Sequence, residues 1–574
     1  MTGTDVRAGS CGYLLNQQTL TTLRWISEVT GRKKLYVLLL CIIQIALNLG
    51  SIGYALVFKG VTDAAVDKQL HTFILWVLAF AGLALFQIFM GFLNRFLLEY
   101  AGATIENCLK DRLLTNIFSR NYAGVIAIHS GEWLNRMTSD TALVANDFVQ
   151  IVPGFVGLLV KLIGAMVLLF ILCPVFCFII IPVGIVVGVF GYIFRKPLKQ
   201  MHRKVQEADG AFRVSIQESL SGLLVIKAFG KEGVRIADSS DKMQMHKAMR
   251  LKRNRFSNIC TMGFNGMMNA AYVLGTAIGG YGIISGTMSY GSLIAIIQLV
   301  GQLQAPLSGL TGYFPQYYAM IASAERLMDI EKMDLDMCVD EMRPISIDNI
   351  NKLYADSLKR IVFRSASFSY RNGKEEIPVF SNLNITVNKR EFIAITGHSG
   401  CGKSTLLKLM MNLYDLDVGE ILMELENGEI PITAAYRRLF AYVPQGNMLM
   451  SGTIGDVVCF QGKRDDDAVC RALEIADADE FVRNLPDGID TKLGECGAGL
   501  SEGQMQRIAI ARAIYAESPI LMLDESTSAL DEIAEKKVLA NIKQMTDKTV
   551  LIVTHRKTVL DYCDREINFS KDTI

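Results

Sequence analysis

The chain has 574 residues, enough for two large domains and too many for one compact core. Hydrophobic residues make up 51% of it and mean hydropathy is +0.30, high for a soluble protein, while a formal net charge of +1 removes the electrostatic case for a nucleic-acid partner. Twelve cysteines without a C-x-x-C pair or zinc-type spacing exclude a thiol–metal module.

In chain order, residues 1–33 read as a cytoplasmic N-terminal segment: the first thirty lack a signal-peptide apolar region with a small-residue cleavage site, and residues 19–31 read as a short amphipathic helix at a membrane surface. The apolar surplus begins after them and ends near residue 315. A spanning helix needs about 20 mostly apolar residues. Six runs meet that need: 35–58, 72–98, 148–172, 175–194, 257–284 and 290–312. A turn near Pro174 separates the third from the fourth, and Ser285-Gly286-Thr287 separates the fifth from the sixth.

Loop charge sets the orientation, because short cytoplasmic loops are rich in Lys and Arg. Arg24, Arg32, Lys33 and Lys34 precede the first run. Lys110, Arg112, Arg120 and Arg136 follow the second, and a denser set from Arg195 to Arg255 follows the fourth. The turns near residues 174 and 286 carry neither, so both termini lie inside. The two inner segments are long, polar and helix-forming, which implies membrane helices that continue into the cytosol and turn there. This gives a membrane domain over 34–325 and a linker over 326–358. Polar residues inside the spans are Gln44, Asn48, Lys161, Asn265, Gln298 and Gln302. Lys161 is expected to face protein or water. Gln298 and Gln302 share one helix face, expected to line a cargo cavity.

Residues 359–574 read as a soluble α/β domain. Stretches 361–370 and 377–387 alternate like strands around Asn372-Gly373, a hairpin signal. Four short apolar runs, 392–396, 440–443, 520–523 and 550–554, look like buried, mainly parallel strands. The first leads into Gly397-His398-Ser399-Gly400-Cys401-Gly402-Lys403-Ser404-Thr405 and then a helical stretch, the P-loop pattern in its strand–loop–helix setting. Its glycines let backbone N–H groups turn toward phosphates, Lys403 reaches the β/γ-phosphates and the Ser404 hydroxyl ligates Mg²⁺. Ile520-Leu521-Met522-Leu523-Asp524-Glu525 ends a strand on two carboxylates. Asp524 is suited to hold Mg²⁺ and Glu525 to polarise an attacking water. Ser501 with Gln504 three residues on is also a capping box for the helix that follows.

The order P-loop, Gln445, Leu500-Ser501-Glu502-Gly503-Gln504, Asp524-Glu525 and His555 resembles an ABC transporter ATPase. Six spans ahead of it, with long inner helices, are similar to the exporter class, so the expected architecture is a six-helix membrane domain followed by a P-loop ABC ATPase. The resemblance implies that Tyr370 stacks on adenine, Gln445 touches Mg²⁺ and water, and His555 contacts the γ-phosphate. It implies that Ser501, Gly503 and Gln504 face the ATP held by a second, opposite half, and that Ser528–Asp531 crosses between the halves. The segments Ser130–Val144 and Ser215–Lys231 resemble the two coupling regions. Two positions depart from the family: Glu502, at the tolerant middle of Leu-Ser-Gly-Gly-Gln, and Cys496, where the exporter loop Gly-Glu-Arg-Gly has arginine.

The function this implies is ATP-driven export, or lipid or peptide translocation, by a homodimer in a bacterial plasma membrane, its ATPase domains cytoplasmic and ATP and Mg²⁺ its cofactors. The cargo is a small molecule, peptide or lipid. An exporter-shaped importer, such as a siderophore uptake system, carries the same residues and differs in the direction of flux. An ATP-gated non-transport membrane subunit is the third alternative. Neither a peptidase domain before the first span nor a regulatory domain after the ATPase is expected.

Overall fold

The structure, a computed structural model, describes residues 19–336, 345–372, 375–446, 448–460, 462–494, 497 and 499–569. The Asn372-Gly373 turn at Gly373, the Cys496 departure and the first eighteen residues lie outside the described residues. The protein is a helical membrane domain followed by an α/β ATPase-type domain. By compactness it divides into one unit running up to Leu114 and over Gly131–Asp329, and a second made of Thr115–Ser130 and Ile330 onward.

Six long helices stand out among the described residues: α1 (Lys34–Val66), α2 (Leu70–Ser119), α3 (Thr141–Leu172), α4 (Pro174–Ser221), α5 (Glu232–Ile284) and α6 (Tyr290–Met328). Residues 19–30 are helical, and Gly31, at φ +51°, breaks that helix from α1. The turn expected near Pro174 is an extended Cys173 (φ −160°, ψ 94°) with Pro174 in the first turn of α4, where a missing N–H costs nothing. Between α5 and α6 the chain passes through Gly286 at φ +73°, and the Ser289 hydroxyl accepts from the Ser292 N–H to start α6.

Among the described residues, four helical stretches are long and apolar enough on their own to cross a membrane: 19–66, 70–119, 130–172 and 232–284. Two of the six expected spans are therefore absent from that set. The runs 175–194 and 290–312 fall within α4 and α6, where part of the side-chain register lies outside the described residues. The described apolar stretch of α6, Tyr290–Leu303, is short.

In this unit α1, α3 and α6 pack on one another, and α4 lies along α5. Their core includes Ala55, Ala165, Ala271 and Ala295 between Leu168, Leu169, Ile296 and Leu299. Small residues let helix backbones approach where lipid gives no hydrophobic drive to associate. By contrast α2 presents Leu78, Leu85, Ile88, Phe89 and Phe92 outward, as a lipid-facing helix does. Two of the polar span residues, Gln44 and Gln302, bond to neighbouring helices. Gln302 donates to the Ser51 carbonyl at 2.8 Å and accepts from the Ser51 hydroxyl at 3.4 Å. Gln44 donates to Asn94 at 3.4 Å, and Asn48 donates to the Gln44 carbonyl at 2.7 Å. Lys161 is half-buried. The expected cavity face is thus occupied at Gln302 by a tie between α6 and α1, because an unmet amide in hydrocarbon costs more than an interhelical bond.

In the second unit, β1 (Leu358–Asn372) and β2 (Glu375–Asn388) form the expected antiparallel pair and join β4 (Val418–Leu425) and β5 (Gly428–Pro431) in a four-stranded sheet. The core sheet is five parallel strands in the order β9-β3-β8-β7-β6. These are β3 (Phe392–Gly397), β6 (Phe440–Val443), β7 (Ile520–Asp524), β8 (Thr549–Val553) and β9 (Arg565–Phe569). Strands β7 and β8 are buried at every residue, which is why their sequences read as unbroken apolar runs.

The inner tip of α2 belongs to this second unit. Asn121 N–H donates to the Asp334 carbonyl at 3.0 Å, and Asp336 N–H donates to the Ser119 carbonyl at 2.9 Å. The segment 330–336 thereby zips onto the tip, and the short helix Tyr122–Ile126 sets Tyr122 edge-on to Tyr414 at 5.6 Å. The segment tied to the ATPase core therefore precedes Ser130–Val144. That stretch instead forms the helix Ser130–Asn135, a π-turn over Arg136–Asp140 and the start of α3.

Candidate nucleotide site

The P-loop links β3 to α7 (Lys403–Met410). Gly397, Gly400 and Gly402 have φ of +142°, +82° and +101°, which L side chains rarely adopt. At Gly402 a Cβ would also stand 2.5 Å from Val379 Cγ1. Lys403 is buried and its ammonium donates to the carbonyls of Gly397 (2.9 Å) and His398 (3.0 Å), drawing the loop around it. Cys401 is buried beneath the loop, Ser399 is exposed, and Thr405 accepts or donates a 3.0 Å bond with the Tyr370 hydroxyl. Tyr370 is half-buried at the end of β1, edge-on to Phe368 and to Tyr414.

Asp524 closes β7 and is 1% exposed. The Ser404 hydroxyl donates to its Oδ1 and the Tyr442 hydroxyl to its Oδ2, both at 2.9 Å. Burial pushes the Asp524 carboxyl up, against those two hydrogen bonds; burial and the adjacent carboxylate push the Tyr442 phenol up too. Mg²⁺ suits such a place. It takes oxygen donors and binds through one or two carboxylates plus substrate phosphates. Among the described residues no group of three or more His, Cys, Asp and Glu could hold a metal, so a cage built from the protein alone is not offered.

Glu525 stands one residue further, at φ +50°. A non-glycine residue in that region is strained by about 1–3 kcal/mol, a cost found at functional positions. The turn points its carboxylate at two other predicted residues. Gln445 Nε2 donates to Oε2 at 2.8 Å, and His555 Nε2 lies 3.1 Å from Oε1. Three residues 80 and 30 positions apart in sequence thus meet on one carboxylate.

Ser501, Gly503 and Gln504 lie elsewhere, at the start of α8 (Glu502–Tyr515). The capping box is formed: Gln504 N–H donates to the Ser501 hydroxyl at 3.3 Å, and Ser501 N–H to Gln504 Oε1 at 2.9 Å. The helix begins at Glu502, directly after the capping Ser501. Among the described residues no hydrogen bond joins these three to the P-loop. A Cβ at Gly503 would come 2.9 Å from the Ala529 carbonyl oxygen, so glycine is what lets α8 touch Ser528–Asp531. Two residues that the motifs did not single out hold this segment. Buried Gln506 accepts from Ala529 N–H at 3.0 Å, and Arg556 donates to the carbonyls of Ser528 (2.7 Å) and Leu530 (3.1 Å). Tyr442 was likewise not singled out; only its place three residues before Gln445 hinted at a role.

Two known families match this chain. Residues 37–307 match the ABC transporter transmembrane region and residues 380–528 the ABC transporter domain. The chain belongs to the ABC transporters, as a half-transporter of the exporter class with membrane region and ATPase fused in that order. A putative export ATP-binding/permease protein of Rickettsia bellii is 26% identical over 555 residues, 95% of this chain and 93% of that one. The ATP-dependent lipid A-core flippase of Syntrophus aciditrophicus is 28% identical over 83% of this chain and 78% of its own length. The structure of a bacterial Atm1-family ABC exporter with ATP bound superposes with a TM-score of 0.77 at 21% identity, over 95% and 94% of the two chains. The protein is an integral membrane protein of that fold.

Proposed function

We propose that this chain is one half of a dimeric, ATP-driven exporter that hydrolyses ATP with Glu525 as general base. The meeting of Gln445 and His555 on the strained Glu525 carries this reading. Glu525 draws a proton from the attacking water, His555 holds that water against the γ-phosphate, and Gln445 orients the carboxylate. Lys403 supplies positive charge to the β/γ-phosphates, and Tyr370 stacks on the adenine. Mg²⁺, when bound, neutralises charge on the phosphate oxygens. Ser404 and Asp524 would hold it, with Gln445 beside them.

ATP is bound between two halves, each giving its P-loop to one nucleotide and Ser501, Gly503 and Gln504 to the other. Closure on ATP favours one membrane conformation over the other, and hydrolysis returns it. One relative bears the name of a lipid A-core flippase, which makes an amphiphilic lipid a cargo worth testing first.

The test is ATPase activity of the purified full-length protein in lipid. Glu525→Gln is expected to lower turnover at least about 100-fold while ATP still binds, the usual worth of a general base. Lys403→Ala is expected to lose ATP binding itself. More than about a tenth of parent activity in Glu525→Gln contradicts the assignment. Flux of a labelled lipid in inside-out vesicles separates export from import.

A further inference from the structure

Asp524 has two carboxylate oxygens and two donors from different elements. Ser404 lies in the second position of α7, and Tyr442 lies on β6. Strand β6 runs parallel to β7 with Tyr442 beside Met522. Side chains alternate along a strand, so Tyr442, Met522 and Asp524 share the face that packs toward α7. Two residues of parallel strand advance about 6.6 Å, a span that a tyrosine side chain bridges. The ring of Tyr442 rests against the buried cluster of Phe440, Met522 and Leu407, and its hydroxyl meets Oδ2 at 2.9 Å.

The two donors differ in what else they do. On the reading given above, the Ser404 hydroxyl also ligates the metal. It therefore cannot hold Asp524 by itself once it turns to that task. The Tyr442 hydroxyl has the carboxylate as its partner and stays. We infer that Tyr442 is a positioning residue for Mg²⁺, fixing the rotation of the Asp524 carboxylate through Oδ2 so that Oδ1 faces the metal. The same strand ends two residues before Gln445, so the hydroxyl also ties the metal carboxylate to the segment that carries Gln445 to Glu525.

This inference rests on Asp524 being the metal carboxylate, and the experiment separates the two. The full-length transporter is held from turnover by Glu525→Gln, and Mn²⁺ binding in the presence of ATP is titrated by electron paramagnetic resonance. ATP affinity without metal is measured alongside. Tyr442→Phe keeps the ring and its packing. It is expected to weaken Mn²⁺ binding about tenfold or more, as loss of a partner to a metal ligand does, with metal-free ATP affinity within about twofold. Unchanged Mn²⁺ affinity in Tyr442→Phe, together with a loss in Asp524→Asn, overturns the role of Tyr442 alone. Unchanged Mn²⁺ affinity in Asp524→Asn overturns the assignment of Asp524 and the inference with it. A parallel fall in metal-free ATP affinity for Tyr442→Phe marks a general packing defect and also overturns it.

Discussion

Gly503 is where a single atom decides most. The signature segment needs α8 close against Ser528–Asp531, and the Ala529 carbonyl oxygen stands where a Cβ would be, 2.9 Å away. Backbone cannot move aside as a side-chain tip does, so Gly503→Ala must shift one segment, at about 1–3 kcal/mol for overpacking. The expected outcome is ATPase activity at least about tenfold lower with P-loop nucleotide binding intact, since the shifted segments lie apart from Lys403. Fluorescent-ATP titration beside turnover checks both halves; full activity would mean that α8 and Ser528–Asp531 separate without cost. Most of the candidate nucleotide site was legible in the sequence because phosphate chemistry imposes fixed spacings: glycines before Lys403, a carboxylate pair ending an apolar strand. Tyr442, Gln506 and Arg556 were not, because each acts through a tertiary contact with a segment at least twenty residues distant, and nothing local marks it.

Among the elements, the π-turn at Arg136–Asp140 interrupts the helical run into α3 and buries two charged side chains, Arg136 and Asp140. Asp140 is buried, and Arg326 from the inner end of α6 donates to both its oxygens, at 2.9 and 2.5 Å. Arg136, also buried, donates to the Arg326 carbonyl at 2.9 Å and to Glu132 at 3.1 Å. The clasp joins the entry of α3 to the exit of α6. Arg326 is half-exposed, so water screens part of the pair. Asp140→Ala is expected to destabilise the unit by about 1–3 kcal/mol, mainly by leaving Arg326 unpaired, read as a lower melting temperature in detergent. Replacing both partners, Asp140→Leu with Arg326→Met, is expected to cost less than Asp140→Ala alone. A double variant as unstable as the sum of its singles would mean that the pair is not coupled. Apolar run length and loop charge carried the helices in the sequence. They did not carry the annexation of Thr115–Ser130 by the second unit, which depends on backbone bonds to residues 330–336. Nor did they carry the partner of Gln302, because a polar residue in a span looks the same whether it faces cargo or Ser51.

For the whole molecule, one chain holds one P-loop and one signature segment, and these do not meet within it. A second feature leaves the chain unfinished. The tip between α4 and α5 is the short helix Leu223–Ala228, where Leu224 is 83% exposed and Phe229 just past it 73%. This tip lies well beyond the expected end of the fourth span at residue 194, so lipid tails cannot cover it. The segment Ser215–Lys231 resembles one of two coupling regions that rest on the nucleotide domains, one of them reaching across to the opposite subunit, and a second copy supplies such a surface without any further protein. Glu525, His555, Ser501 and Gly503 are all present, so on the reading proposed above two copies would complete two equal ATP sites. The chain expressed alone is therefore expected to purify as a homodimer with ATPase activity in lipid. Leu224→Asp combined with Phe229→Asp is expected to leave ATP binding in place while cutting lipid- or cargo-stimulated turnover, because charge at the tip disfavours its burial. Multi-angle light scattering of the parent, and turnover of both proteins with and without lipid cargo, decide the matter. A monomer, or a dimer without ATPase activity, would require a different chain as the second half; stimulated turnover unchanged by the two aspartates would remove the tip from the coupling path.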